Sequence, residues 1–165
     1  MAALTTASAA PDFTLKGIDG STFSLKDALA RGPVVLAFFK ISCPVCQYAL
    51  PLLERIYKAH GSEGVAIIGI SQDKQRDTAA FMSEYGITFP VLLDDTNSYP
   101  VSNAYGLTNV PTIFWVNQEG QIEISSVGWS RRDVEEIHQR MAELTHAPAV
   151  PLFKPGEDVR DFRAG

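Results

Sequence analysis

The chain is short of the residues that build metal centres. It holds two cysteines and three histidines in 165 residues, and His60, His138 and His146 show no metal-ligand spacing, whereas a zinc site takes about four ligands. No metal and no cofactor are therefore expected. No apolar run is long enough to span a bilayer. Basic runs and basic stripes interleaved with aromatics are also missing, and the formal net charge is −5, so neither nucleic acid nor an anionic membrane is a main partner. Residues Met1 to Ala10 have no basic start and no apolar centre, unlike a signal peptide. As written the chain reads as cytoplasmic, and as extracytoplasmic if a leader has been removed. There is no internal repeat and no low-complexity segment, and the length suits one domain with a sizeable core.

Both cysteines fall in the stretch Phe38-Phe39-Lys40-Ile41-Ser42-Cys43-Pro44-Val45-Cys46, at C-x-x-C spacing directly after the apolar run Pro33 to Phe39. That run is β-branched and aromatic, as befits a strand buried on both faces of a parallel sheet. Pro44 supplies the fixed φ of a first helical position, and apolar residues then recur at helical spacing (Leu50, Leu53, Ile56, Tyr57) up to His60, before Gly61. Cys43 is thus expected at the positive end of a helix dipole, where a thiolate is favoured over a thiol. Cys46 lies one turn in, facing more of the protein. Position assigns Cys43 the attacking role and Cys46 the resolving one. A disulfide across so short a loop removes little chain entropy, so it serves as a bond that opens and closes rather than as a staple.

The remaining elements surround this unit. Phe13-Thr14-Leu15 and Thr22 to Leu25, separated by Asp19-Gly20, form a small hairpin, followed by a helical turn over Lys26 to Ala30. Gly64 to Ser71 is a second buried strand, parallel to the first through the intervening helix. Asp73 to Gly86 is a helix, Phe89 to Leu93 an edge strand, and Asn97 to Tyr105 a brief helix interrupted by Pro100. Thr112 to Val116 and Gln121 to Ser125 flank Asn117-Gln118-Glu119-Gly120 as an antiparallel hairpin, and Arg131 to Leu144 is an amphipathic helix. Pro51 should bend the first long helix. Pro148, Pro151, Pro155 and Gly156 forbid a regular element at the end, leaving a tail that is extended along the surface through Leu152, Phe153 and Phe162 or loose in solvent.

In their order and spacing, Ala10-Pro11-Asp12-Phe13-Thr14-Leu15, the Cys43 to Cys46 motif, Tyr85-Gly86-Ile87-Thr88-Phe89-Pro90-Val91, Ala104-Tyr105-Gly106, Val110-Pro111-Thr112 and Asn117-Gln118-Glu119-Gly120 resemble the thioredoxin superfamily. Within it the chain resembles the TlpA/ResA-like branch, which is related to the AhpC/TSA redoxins. The resemblance implies an α/β thioredoxin fold, a central mixed sheet flanked by helices, with an N-terminal β-hairpin extension. It covers one redoxin domain (11–146) and leaves outside it a flexible N-terminus (1–10) and a proline-rich tail (147–165). It also implies a cis Val110–Pro111 bond beside the cysteines, with the Val110 backbone free to pair with an extended substrate.

Four positions bear on tuning. Lys40 could favour the Cys43 thiolate, or be a solvated strand-end lysine. Asp73 sits where several TlpA/ResA-like proteins carry an acid facing the disulfide, or is an N-cap for the following helix. Ala37 stands where thioredoxins have a buried Asp that serves proton transfer to the second cysteine, and Ser42 replaces a common Trp.

The function implied is thiol–disulfide exchange with a disulfide-containing protein or a small thiol, within cell redox homeostasis and antioxidant defence, and with a reducing or oxidising partner that recycles the pair. An AhpC/TSA-type peroxidase is the alternative. Its Pro-x-x-x-Thr/Ser-x-x-Cys loop fits neither register: counting back from Cys46 gives Cys43 and Phe39, and from Cys43 gives Lys40 and Leu36. A docking module without catalysis, or a copper-handling relative, comes third. Copper-binding kin usually use C-x-x-x-C, one residue longer.

Overall fold

The computed structural model describes residues 2–61, 64–148 and 150–165. The central strand β3 (Val34–Phe39) is buried along its whole length, because successive side chains point into two different cores. Val35, Ala37 and Phe39 face one cluster, which contains Cys46, Leu50, Leu53, Ile56 and Trp129. Val34, Leu36 and Phe38 face the other, with Phe13, Leu25, Tyr105 and Phe114. A strand buried on both sides has no polar alternation to show, which is why its sequence is an unbroken apolar run.

Around it the mixed sheet has five strands in the order β5-β4-β3-β6-β7. β4 (Ala66–Ser71) runs parallel to β3, and β5 (Val91–Leu93) parallel to β4 at one edge. β6 (Thr112–Val116) is antiparallel to β3, and β7 (Ile122–Val127) is antiparallel to β6. The N-terminal extension is the antiparallel hairpin β1 (Thr14–Lys16) and β2 (Thr22–Ser24), followed by the short helix α1 (Leu25–Leu29). This is the mixed α/β sheet with an N-terminal hairpin that the sequence implies.

Helix α2 (Pro44–His60) follows β3 and packs Ala49, Leu50, Leu53 and Ile56 inward, continuing through Pro51. Its buried Glu54 fixes it to the segment before β5. The Glu54 carboxylate accepts the backbone N–H groups of Thr88 (2.8 Å) and Phe89 (3.2 Å), and also the Thr88 hydroxyl. On the same side, α5 (Arg131–Leu144) brings the His138 ring to 5.2 Å from that of His60. Burial, and then the neighbouring His60, hold His138 below its ordinary value.

Four sequence expectations are corrected. Helix α3 (Gln75–Tyr85) begins after Asp73, with Lys74 at its N-cap. Pro100 does not interrupt a helix but opens α4 (Pro100–Ala104), as its missing N–H permits. Residues 4–10, expected to be flexible, are held down by hydrogen bonds, among them Leu4 N–H to the Tyr105 carbonyl (3.1 Å) and Ala7 N–H to the Ile122 carbonyl (2.8 Å). The tail does contain a regular element: β9 (Phe162–Arg163) pairs antiparallel with β8 (Trp129–Ser130). Its prolines all precede that strand.

Candidate active site

Both cysteines sit at the tip of α2, where only Cys43 meets the solvent. Cys43 is the N-cap residue, in extended conformation, and its Sγ accepts the backbone N–H of Cys46 at 3.2 Å. A side chain that accepts an N–H from the first turn satisfies one of the donors a helix leaves unpaired there, and the dipole adds positive potential at the same point. Cys43 is partly exposed, whereas Cys46 is fully buried, and both are free thiols. Burial, reinforced by the hydrogen bond to the Cys43 sulfur, pushes the Cys46 thiol up, although the Lys40 backbone amide pulls the other way. One sulfur is therefore partly open to solvent, while the other lies behind it with its neutral form favoured.

The loop before β6 closes on the same sulfur. The Val110–Pro111 bond is cis, and the Cys43 thiol donates to the Val110 carbonyl at 3.4 Å. Behind the loop, the Thr112 hydroxyl donates to the Asn109 carbonyl at 2.8 Å.

Asp73 is not the N-cap of α3. Its carboxylate turns instead to the residues preceding the cysteines and accepts the Ile41 N–H at 2.8 Å. The Gln47 side-chain amide donates to the Ile41 carbonyl at 2.9 Å, so the Ile41 backbone is held at both its N–H and its carbonyl, which fixes the turn into Cys43. Asp73 is also the carboxylate whose charge reaches Cys46, adding to the upward push on that thiol. Ala37 faces the same cluster as Cys46 and brings no acid to it. The Lys40 ammonium lies 5.7 Å from the centroid of the Tyr99 ring. Lys40 also lines a small polar cleft with Gln72, Thr108, Asn109 and Val110.

The sequence reading did not single out the aromatic flank of the site. Tyr48, two residues after Cys46 on α2, stacks edge-on against Trp129 (centroids 5.2 Å apart). Trp129 in turn meets Phe153 of the tail at 6.5 Å. Tyr48 beside C-x-x-C and the distant Trp129 are visible as residue types. Their meeting across 81 positions is not.

Among the described residues, no group of three or more His, Cys, Asp or Glu could hold a metal ion. No described helix is long and apolar enough to cross a membrane.

Comparison with known proteins agrees with this geometry. The AhpC/TSA family model matches residues 6–125. Thiol-disulfide oxidoreductase ResA of Halalkalibacterium halodurans is 30% identical over 130 residues, which is 78% of this chain and 72% of that protein. Thiol-disulfide oxidoreductase ResA of Bacillus subtilis is 31% identical over 149 residues, 90% of this chain and 75% of that protein. The crystal structure of StoA from Bacillus subtilis superposes with a TM-score of 0.66 at 26% identity, covering 81% of this chain and 97% of that one. The chain belongs to the AhpC/TSA family, in the thioredoxin-fold branch that holds the ResA thiol-disulfide oxidoreductases.

Proposed function

We propose that in this thiol–disulfide oxidoreductase Cys43 attacks and Cys46 resolves. The Cys43 thiolate attacks one sulfur of a substrate disulfide, a Cys43–substrate bond forms, and the other substrate sulfur leaves as a thiolate. Cys46 then gives up its proton and attacks the Cys43 sulfur, releasing the second substrate thiolate and closing the Cys43–Cys46 disulfide. Two electrons have passed from the protein to the substrate, and the reverse sequence runs when the partner is the stronger oxidant. The carrying observation is the contrast between a partly exposed Cys43 that accepts an N–H at a helix tip and a Cys46 sealed one turn behind it. The Val110 backbone beside Cys43 offers an extended substrate a place to pair. Asp73 positions the Cys43 turn through Ile41 and, as the carboxylate whose charge reaches Cys46, takes the Cys46 proton, while Lys40 adds positive charge in the cleft it lines with Val110. The substrate is a protein disulfide or a small disulfide, and a separate redox partner recycles the pair.

The reduced protein is expected to accelerate the reduction of insulin by dithiothreitol and to be slow toward hydrogen peroxide. Turbidity measures the first and peroxide consumption the second. Rapid peroxide consumption with no effect on insulin would replace this reading with the peroxidase one.

A further inference from the structure

The tail follows a defined path over the domain. After α5 it returns along α2, anchored by a two-pronged ion pair between Arg55 and Glu157 (2.7 Å for each contact). That guanidinium holds the Glu157 carboxyl down to about 2. Leu152, Phe153 and Val159 pack on the cluster that contains Cys46.

From Arg160 onward the tail becomes an added strand beside the active site. The Trp129 indole N–H donates to the Arg160 carbonyl at 2.6 Å, and the Arg160 N–H donates to the Tyr48 hydroxyl at 3.1 Å. Trp129 then pairs with Arg163 and Ser130 with Phe162, and the Arg163 guanidinium stacks 5.0 Å from the centroid of the Tyr48 ring. Gly128 leaves room for the crossing chain: a Cβ there would lie 2.4 Å from the Arg163 carbonyl oxygen. Gly165 lies against the cis-proline loop. A Cβ on Gly165 would stand 2.2 Å from the Val110 carbonyl oxygen, the same oxygen that receives the Cys43 thiol, and Asn109 donates its side-chain amide to the Gly165 carbonyl at 3.1 Å.

We infer that residues 160–165 fill the groove that takes the extended peptide flanking a substrate's disulfide, so the tail is a tethered competitor and the groove selects segments with a basic side chain at the Arg163 position. The inference rests on the reading of Cys43 as the attacking sulfur. Three properties of the tail strand specify the occupant. It is extended and pairs through its main chain, as in strand addition to a sheet edge. It brings a guanidinium onto a tyrosine face, a contact lysine or arginine on a substrate can reproduce. It reaches the backbone next to Cys43 without covering the sulfur, which stays partly exposed. A small disulfide reaches Cys43 past the tail, and a protein disulfide must displace it.

The test compares two substrates on the full-length chain carrying Arg163→Pro, which removes one ladder N–H and the guanidinium together. Insulin reduction is expected to rise about tenfold, while reduction of hydroxyethyl disulfide stays within twofold of the parent. A synthetic peptide of residues 158–165 should then slow the variant on insulin, and the same peptide with glutamate replacing both arginines should not. An insulin rate equal to or below the parent's, with the small disulfide still reduced, would overturn the inference and leave the tail a structural strap. Failure of the parent on both substrates would instead remove the reading on which it rests. Should the variant not fold, hydrogen exchange on Cys46→Ser decides. Amides of residues 160–165 are expected to exchange faster once Cys43 is joined to a cysteine peptide with an extended basic flank, and unchanged protection there would overturn the inference.

Discussion

Cys43→Ser is expected to lower insulin reduction roughly a thousandfold or more, to the rate of dithiothreitol alone. The size follows from the chemistry: a serine hydroxyl forms no bond to sulfur that thiols can reopen, so the covalent intermediate disappears rather than forming more slowly. The buried Cys46 offers no substitute, because it has no exposed surface and burial keeps its proton on. The fold should be little changed, since a serine hydroxyl at the same N-cap position accepts the Cys46 N–H as well as sulfur does. Circular dichroism and thermal unfolding check that the loss is chemical. Activity within tenfold of the parent would show that another group attacks.

Trp129→Ala carries the largest expected cost in stability, about 3–5 kcal/mol in urea unfolding, the usual range for removing a large buried aromatic. Trp129 is fully buried, touches Tyr48 and Phe153 edge-on, and donates its indole N–H to Arg160. Its loss therefore opens a cavity under the tail and leaves the Arg160 carbonyl without its donor. Trp129→Phe keeps most of the packing and should cost only about 1–2 kcal/mol, the scale of one buried hydrogen bond left unmade. A loss below about 1 kcal/mol for the alanine variant would mean that the cavity collapses and that the tail lies outside the cooperative unit.

The chemistry was legible in the sequence because it is local. Pro44 fixes where α2 starts, the β3 run fixes what precedes it, and two cysteines three apart cannot avoid the first turn between them. The cis bond at Pro111 came from the resemblance, through the Val110-Pro111-Thr112 motif, and the backbone has it. What escaped was long-range. β9 is two residues long and pairs with a strand more than thirty positions away, too short to show a period and too distant to be fixed by a turn. The proline content of the tail pointed away from a strand, yet its prolines fall only in the approach, where no ladder N–H is required. Asp73 was similarly ambiguous. Its position before a helix suggests a cap, but the carboxylate takes the Ile41 N–H just beyond the neighbouring strand instead, and no local pattern encodes that competition.

The division of labour between the two sulfurs is tested most directly by trapping. Reduced Cys46→Ser and reduced Cys43→Ser are each mixed with oxidised insulin, and covalent adducts are read by mass spectrometry under non-reducing conditions. Cys46→Ser should accumulate a stable adduct through Cys43, and Cys43→Ser should give none on the same time scale. An adduct forming equally fast through Cys46 would contradict the assignment.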